Sequence, residues 1–254
     1  MRYLLYCIFR SPEFPGVETI GGAGEERVFL VSHRHLHAVL SRLGSERLGA
    51  DVPRLMNYEK VIEACHRKYP TIPMRYGCLF HAVSQVRSLL EQRRRQYEAL
   101  LEELEGCVEM GLRILLPEEV SDSHAPAEPA GEARGASGAN LPLAPGGSGH
   151  SYLAAQRRRY LAQDEAARSR GLMAARICRA FTGLFSRHRQ ESRQLAGARL
   201  LSLYFLVPRG KLEPFRQAFR GVSARVSGQF LLSGPWPPYN FVLPRSLGHL
   251  QEIE

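Results

Sequence analysis

The chain has 254 residues, 44% of them hydrophobic and 23% charged, and a formal net charge of +9. Such a length holds one large domain or two ordinary ones, and such a balance offsets ordering entropy, which excludes a wholly disordered chain. No run approaches the roughly 18 apolar residues of a membrane span, and the opening stretch Met1–Arg10 is too short for a signal peptide's apolar core plus cleavage site, so a cytoplasmic protein is the expectation.

The first element is a strand. Tyr3 to Phe9 is a short apolar and aromatic run between Arg2 and Arg10, the pattern of a strand buried on both faces. Pro12, Pro15, Gly16, Gly21, Gly22 and Gly24 mark loops. Val28 to Val31 predicts a second strand, and Ala38 to Leu43 fits either strand or helix. From Asn57 to about Lys68, Tyr58, Val61, Ile62, Cys65 and Tyr69 fall on one helical face, which Pro70 ends. Thr71 to Phe80 reads as extended. Val83 to Leu104 reads as one helix with Val86, Leu90, Tyr97, Leu101 and Leu104 as its stripe and Gly106 as its C-terminal stop. Cys107 to Leu116 alternates, with Val108, Met110, Leu112, Ile114 and Leu116 on one face. This first part is expected to layer antiparallel strands against two helices on one side.

Residues 117–150 are dense in Pro, Gly, Ala and Ser and read as a linker. Residues 151–199 then carry eleven basic and three acidic side chains, a net of +8 that holds nearly all the excess charge. Tyr152 to about Gln194, rich in Ala, Arg and Gln, predicts helix, with Met173, Ile177, Phe181 and Leu184 stepping by three and four. Ala198 to Val207 is an apolar strand ended by Pro208, Lys211 to Phe219 a short helix, and Phe230 to Ser233 a last strand. Gly234 to Tyr239 is a rigid turn, because three prolines fix φ and remove donors. Strand, helices, strand, helix, strand resembles a ferredoxin-like unit with an enlarged helical crossover. The expected class is therefore α+β with two domains: residues 1–106, an α+β layer domain, and residues 107–254, a ferredoxin-like domain. The second carries a Pro/Gly-rich insert at about 117–150 and an Arg-rich helical extension at about 152–195.

Catalytic signatures are sparse. There is no GxxxxGK[ST] loop, HExxH, GxSxG or kinase set, and Gly21-Gly22-Ala23-Gly24 lacks the GxGxxG spacing. His33, His35 and His37 alternate, so one strand would align them for a metal, the competing reading being a polar strand face. Cys65 and His66 are neighbours, which a helix points in different directions. The five cysteines, Cys7, Cys65, Cys78, Cys107 and Cys178, are odd in number with no CxxC pair, so reduced and mostly buried thiols are expected. No catalytic residue, metal or cofactor is assigned. Arg157-Arg158-Arg159 can grip phosphates, but no aromatic-interleaved RNA-binding strand accompanies it.

Two segments stand apart. Pro73-Met74-Arg75-Tyr76-Gly77 sets a proline, an arginine and a glycine in an extended run, which reads as an edge strand or bulge. Gly234-Pro235-Trp236-Pro237-Pro238-Tyr239 holds the only tryptophan. It reads as a rigid plug closing a core, with an aromatic docking surface as the alternative.

On these two segments, with Tyr3–Ile8, Val108-Glu109-Met110-Gly111-Leu112, Tyr204–Pro208 and Asn240-Phe241-Val242, the chain resembles the gas vesicle accessory proteins GvpF and GvpL. The resemblance implies a non-enzymatic assembly role in the cytoplasm, associated with gas vesicles. These are gas-filled protein shells built mainly from a small, very hydrophobic shell protein. It implies that shell protein and other accessory proteins as partners, no membrane, and a second domain of modified ferredoxin-like form with extra helices. The candidate partner-binding residues are Arg157, Arg158, Arg159, Met173, Ile177 and Phe181, or a strand edge near Pro73–Gly77 or Phe230–Ser233. Pro73, Arg75, Tyr76, Gly77 and the Gly234–Tyr239 residues are taken as mainly structural. The rival reading is a nucleic-acid-binding ferredoxin-like protein that uses the Arg-rich region.

Overall fold

A computed structural model describes residues 2–11, 27–44, 51–117, 156–157, 160–161, 168, 171–195, 198–225 and 228–242. Its first half contains β1 (Arg2–Arg10), β2 (Phe29–His33), β3 (Leu36–Leu43), α1 (Val52–Lys68), β4 (Thr71–Pro73), β5 (Leu79–Phe80), α2 (Val83–Gln92) and α3 (Arg94–Leu104). Its second half contains β6 (Cys107–Pro117), α4 (171–180), β7 (Arg187–Leu195), β8 (Ala198–Pro208), α5 (Leu212–Ser223) and β9 (Gln229–Trp236). The strands form two antiparallel sheets. The first has the order β2-β3-β1-β4, with β5 also on β1, and the second the order β7-β8-β6-β9.

β1 is buried on both faces, as its continuous apolar run predicts. A bulge between Leu5 and Cys7 resets the alternation, so Leu4, Tyr6, Cys7 and Phe9 share one core while Leu5 and Ile8 join the other. α1 packs Tyr58, Val61, Ile62 and Cys65 into the first of these cores, and α2 and α3 pack Val86, Leu90, Tyr97, Leu101 and Leu104 into the second. Helices therefore cover both faces, not one side as expected for this part, because a strand apolar on both sides must be sheltered twice. α1 starts where the Asp51 carboxylate accepts the Arg54 N–H at 3.0 Å, with a proline in its first turn. The single helix expected over Val83–Leu104 is broken at Arg93, which sits at φ −102, ψ 15. Neither Gly nor Pro marks that break.

In the second sheet Val108, Met110, Leu112 and Ile114 alternate as predicted onto a core covered by α4 and α5. Phe181 is its centre, stacked on Phe215 at 4.4 Å and tilted against Phe205 at 5.2 Å. The helix expected through Gln194 ends early. Arg187–Leu195 is β7, an edge strand paired with β8 from Arg187↔Leu206 to Leu195↔Ala198. The helix-favouring Arg and Gln there yield to pairing with the very apolar β8, a tertiary override of local propensity. The two sheets share packing: Cys107, Leu206 and Phe241 belong to the same core as Leu5, Ile8 and Leu90. The Arg209 N–H closes the seam on the Gly106 carbonyl at 2.8 Å.

Candidate partner interface

The second sheet has two unlike edges. β7 exposes Arg187, His188, Arg189 and Arg193, and charge of this kind discourages pairing with another chain. β9, Gln229-Phe230-Leu231-Leu232-Ser233-Gly234-Pro235-Trp236, holds no charged residue and lies at the opposite edge. Phe230 and Leu232 lie opposite Ile114 and Leu112 and pack against the α4–α5 core. Leu231 is left 57% exposed and Trp236 42% exposed. The strand named in advance at Phe230–Ser233 is therefore a true edge. The edge position is the one expected from the sequence, and the strand runs beyond it to Trp236.

The turn after β9 is fixed by a buried carboxylate. Glu109 accepts the Asn240 backbone N–H at 2.8 Å on one oxygen and the Asn240 side-chain amide at 2.6 Å on the other. Burial raises its pKa, and the two Asn240 donors pull the other way. The Arg189 guanidinium donates to the Asn240 carbonyl at 3.0 Å. Gly234 has φ +107, and a Cβ there would lie 2.6 Å from the Glu109 carbonyl oxygen, so only glycine fits. Pro237, Pro238 and Phe241 are buried and Tyr239 is half-buried. These residues face inward, whereas Trp236 and Pro235 are exposed. Trp236 pairs opposite Glu109 at the open edge, and the prolines after it seat in its place.

Pro73–Gly77 lies at the far side of the first sheet, where β4 is an edge and Pro73 is its buried last residue. Arg75 is exposed, and Gly77 takes φ +93 in the turn to β5. The Tyr58 hydroxyl lies 3.0 Å from both the Leu5 and Met74 carbonyls, donating between them, and its ring meets Tyr76 edge-on at 5.1 Å. Tyr76 and Tyr239 pack against the same α1 core, so the two motifs that stand out in the sequence converge on Tyr58. Burial drives the Tyr58 and Tyr239 hydroxyls well above their ordinary pKa, and both stay neutral.

The Arg-rich candidates separate. Arg157 is exposed, whereas Arg158 and Arg159 lie outside the described residues. Met173 is half-buried, and Ile177 and Phe181 are 2% and 0% exposed in the second core. The stripe proposed for a partner is thus already spent on β6, β8 and α5. Among the described residues of this region the large exposed apolar side chains are instead Tyr160, Leu161 and Leu172, and Tyr160 and Leu161 line a shallow groove with Gln156 and Arg157. The sequence stripe missed them, since a regular spacing identifies a face but not which of two faces meets the core.

The three histidines do not align. The β2–β3 turn falls at Arg34–His35, leaving His33 and His37 on different strands. His37 is buried, bound to the Ser32 hydroxyl at 2.8 Å and the Ser11 carbonyl at 3.2 Å. Among the described residues no group of three or more His, Cys, Asp or Glu is placed to hold a metal, and no helix is long and apolar enough to cross a membrane.

Comparison with known proteins bears on this arrangement. A sequence model described as gas vesicle synthesis protein GvpL/GvpF matches residues 2–243. Gas vesicle protein F1 of Halobacterium salinarum is 31% identical over 100 residues, which is 38% of this chain and 47% of that protein. Gas vesicle protein L of a Streptomyces species is 30% identical over 200 residues, 72% of this chain and 66% of that protein. The chain thus spans about half the length of the halobacterial relatives it matches. In fold it is similar to the crystal structure of GvpF from Anabaena, with TM-score 0.72, 16% identity, 98% of this chain and 99% of that one covered. It is also similar to GvpF from Microcystis aeruginosa, with TM-score 0.65, 16% identity, and 96% and 99% covered.

Proposed function

The chain belongs to the GvpL/GvpF family of gas vesicle proteins, and from that premise we propose that it binds the hydrophobic shell protein through the open β9 edge while vesicles form. The uncharged β9 with Leu231 and Trp236 exposed is the observation that carries this reading. A shell protein that is apolar enough to pack into a rib aggregates unless its surface is held until it is placed. An edge strand holds an extended segment by main-chain hydrogen bonds, and side chains on alternate positions select it. The cationic 151–199 region draws acidic groups of partners, other accessory proteins among them, toward the same half of the molecule. The role is non-enzymatic, and the protein sits with the vesicles in the cytoplasm. Residues 107–254 act as a ferredoxin-like unit beside an α+β unit at 1–106, a reading supported by the strand order β7-β8-β6-β9.

Co-expression with the cognate shell protein, followed by nuclease-treated pull-down at low and high salt, tests this. Soluble shell protein should be retained, and Leu231→Lys should release it without unfolding the chain. Retention untouched by Leu231→Lys and lost at high salt moves the contact to the arginines. Failure to retain shell protein, with nucleic acid co-purifying before nuclease, replaces the reading with the nucleic-acid one.

A further inference from the structure

Where the two sheets meet, His66, Arg67 and Lys68 from the end of α1, Glu105 and Cys107 from the α3–β6 junction, and Arg209 after β8 line a cleft of about 270 Å3. Three of these residues are fixed cations and one is a carboxylate, Glu105, which Arg10 already holds at 3.3 Å. Arg67 lies 3.6 Å from the Glu63 carboxylate one helical turn back. Arg209 spends one guanidinium nitrogen on the His66 carbonyl at 2.9 Å, and its remaining N–H groups meet no described acceptor. His66 is 8% exposed, and neither of its ring nitrogens has a hydrogen-bond partner among the described residues. Buried polar atoms in native proteins are nearly always satisfied, by protein, water or ligand. The two nitrogens are themselves buried, so the imidazole lies behind the cleft wall, which His66 reaches through the carbonyl that Arg209 holds.

We propose that this cleft binds a small oxyanion of the phosphate class, gripped by the free guanidinium N–H groups of Arg209 and by Lys68. Guanidinium forks and lysine ammonium groups are the usual partners of phosphate oxygens. The volume lies at the small end of ligand sites, which fits inorganic phosphate or a compact phosphate ester and excludes a dinucleotide. The site is independent of shell-protein binding. Its effect is mechanical: an anion bound by α1 and by Arg209 fastens the first sheet's helix to the second sheet.

The test is thermal unfolding and calorimetric titration of the full chain with inorganic phosphate, with glycerol phosphate, and with chloride at matched ionic strength. Phosphate should raise the unfolding temperature where chloride does not, and Lys68→Gln, an exposed change, should weaken phosphate binding about tenfold while leaving stability in chloride unchanged. Tighter binding of glycerol phosphate than of phosphate assigns the site to an ester, and the reverse to the free ion. Equal response to phosphate and chloride, or Lys68→Gln binding as the parent does, overturns the proposal and leaves the cations as complements to the α1 C-terminus.

Discussion

Glu109 and Asn240, 131 residues apart in the chain, are joined by two hydrogen bonds that tie the turn after β9 to the centre of the second sheet. Asn240→Ala removes the side-chain donor and leaves a buried carboxylate half-satisfied. The expected loss is about 2–3 kcal/mol in chemical denaturation. The pH dependence has a sign. Burial already raises the Glu109 pKa, and losing a donor raises it further. The native variant then holds its proton to higher pH than the unfolded chain does. Its stability should therefore fall more steeply than the parent's as pH rises from the unfolded carboxylate pKa through the raised native value.

Trp236→Ala should cost less than the about 3–5 kcal/mol of a fully buried aromatic, because the residue is 42% exposed at the sheet edge. Shell-protein retention should drop in the same variant. A large loss of stability in calorimetry with retention unchanged would return Trp236 to a structural role.

Phe181→Ala empties the site between Phe205 and Phe215 and should cost about 3–5 kcal/mol. Leu161→Ala and Leu172→Ala, at exposed positions, should each stay within about 0.5 kcal/mol. The contrast in unfolding temperature separates core stripe from free surface.

His66 gives a second pH signature. Burial, and then the nearby Arg209, lower its pKa to about 4. Between roughly pH 6.5 and 4 the unfolded chain takes up a proton that the native imidazole does not, so stability is complete above this window and declines as pH falls through it. The loss amounts to about 3 kcal/mol at most. His66→Asn should flatten that part of the profile, and saturating phosphate, which favours the imidazolium, should shrink it. Arg67, Lys68, Glu105 and Cys107 also face the cleft, so the difference between variant and parent is the quantity to measure.

Much of this architecture is visible in residue order. β1, α1 and β6 follow from apolar runs and alternation, because each buries a face that its own pattern defines. β7 does not, since arginine-rich edge strands carry no apolar signal and exist only because β8 supplies the partner. Arg93 breaks a helix that its stripe continues through, with Val86 and Leu90 before the break and Tyr97, Leu101 and Leu104 after it in one core. Of the site, the turn expected at Gly234–Tyr239 starts late: β9 continues through Trp236 and the chain turns at residues 239–241. The Glu109 clamp was not recognisable, because a lone glutamate on an alternating strand looks like any solvent-facing residue. Likewise the three alternating histidines look aligned until a hairpin turn divides them.

The unequal edges of the second sheet also fix how many neighbours it admits. With β7 guarded by arginines and β9 bare, this sheet has a valence of one. A strand added at β9 would find a charged edge across the sheet at β7, and that charge disfavours a second addition on the far side.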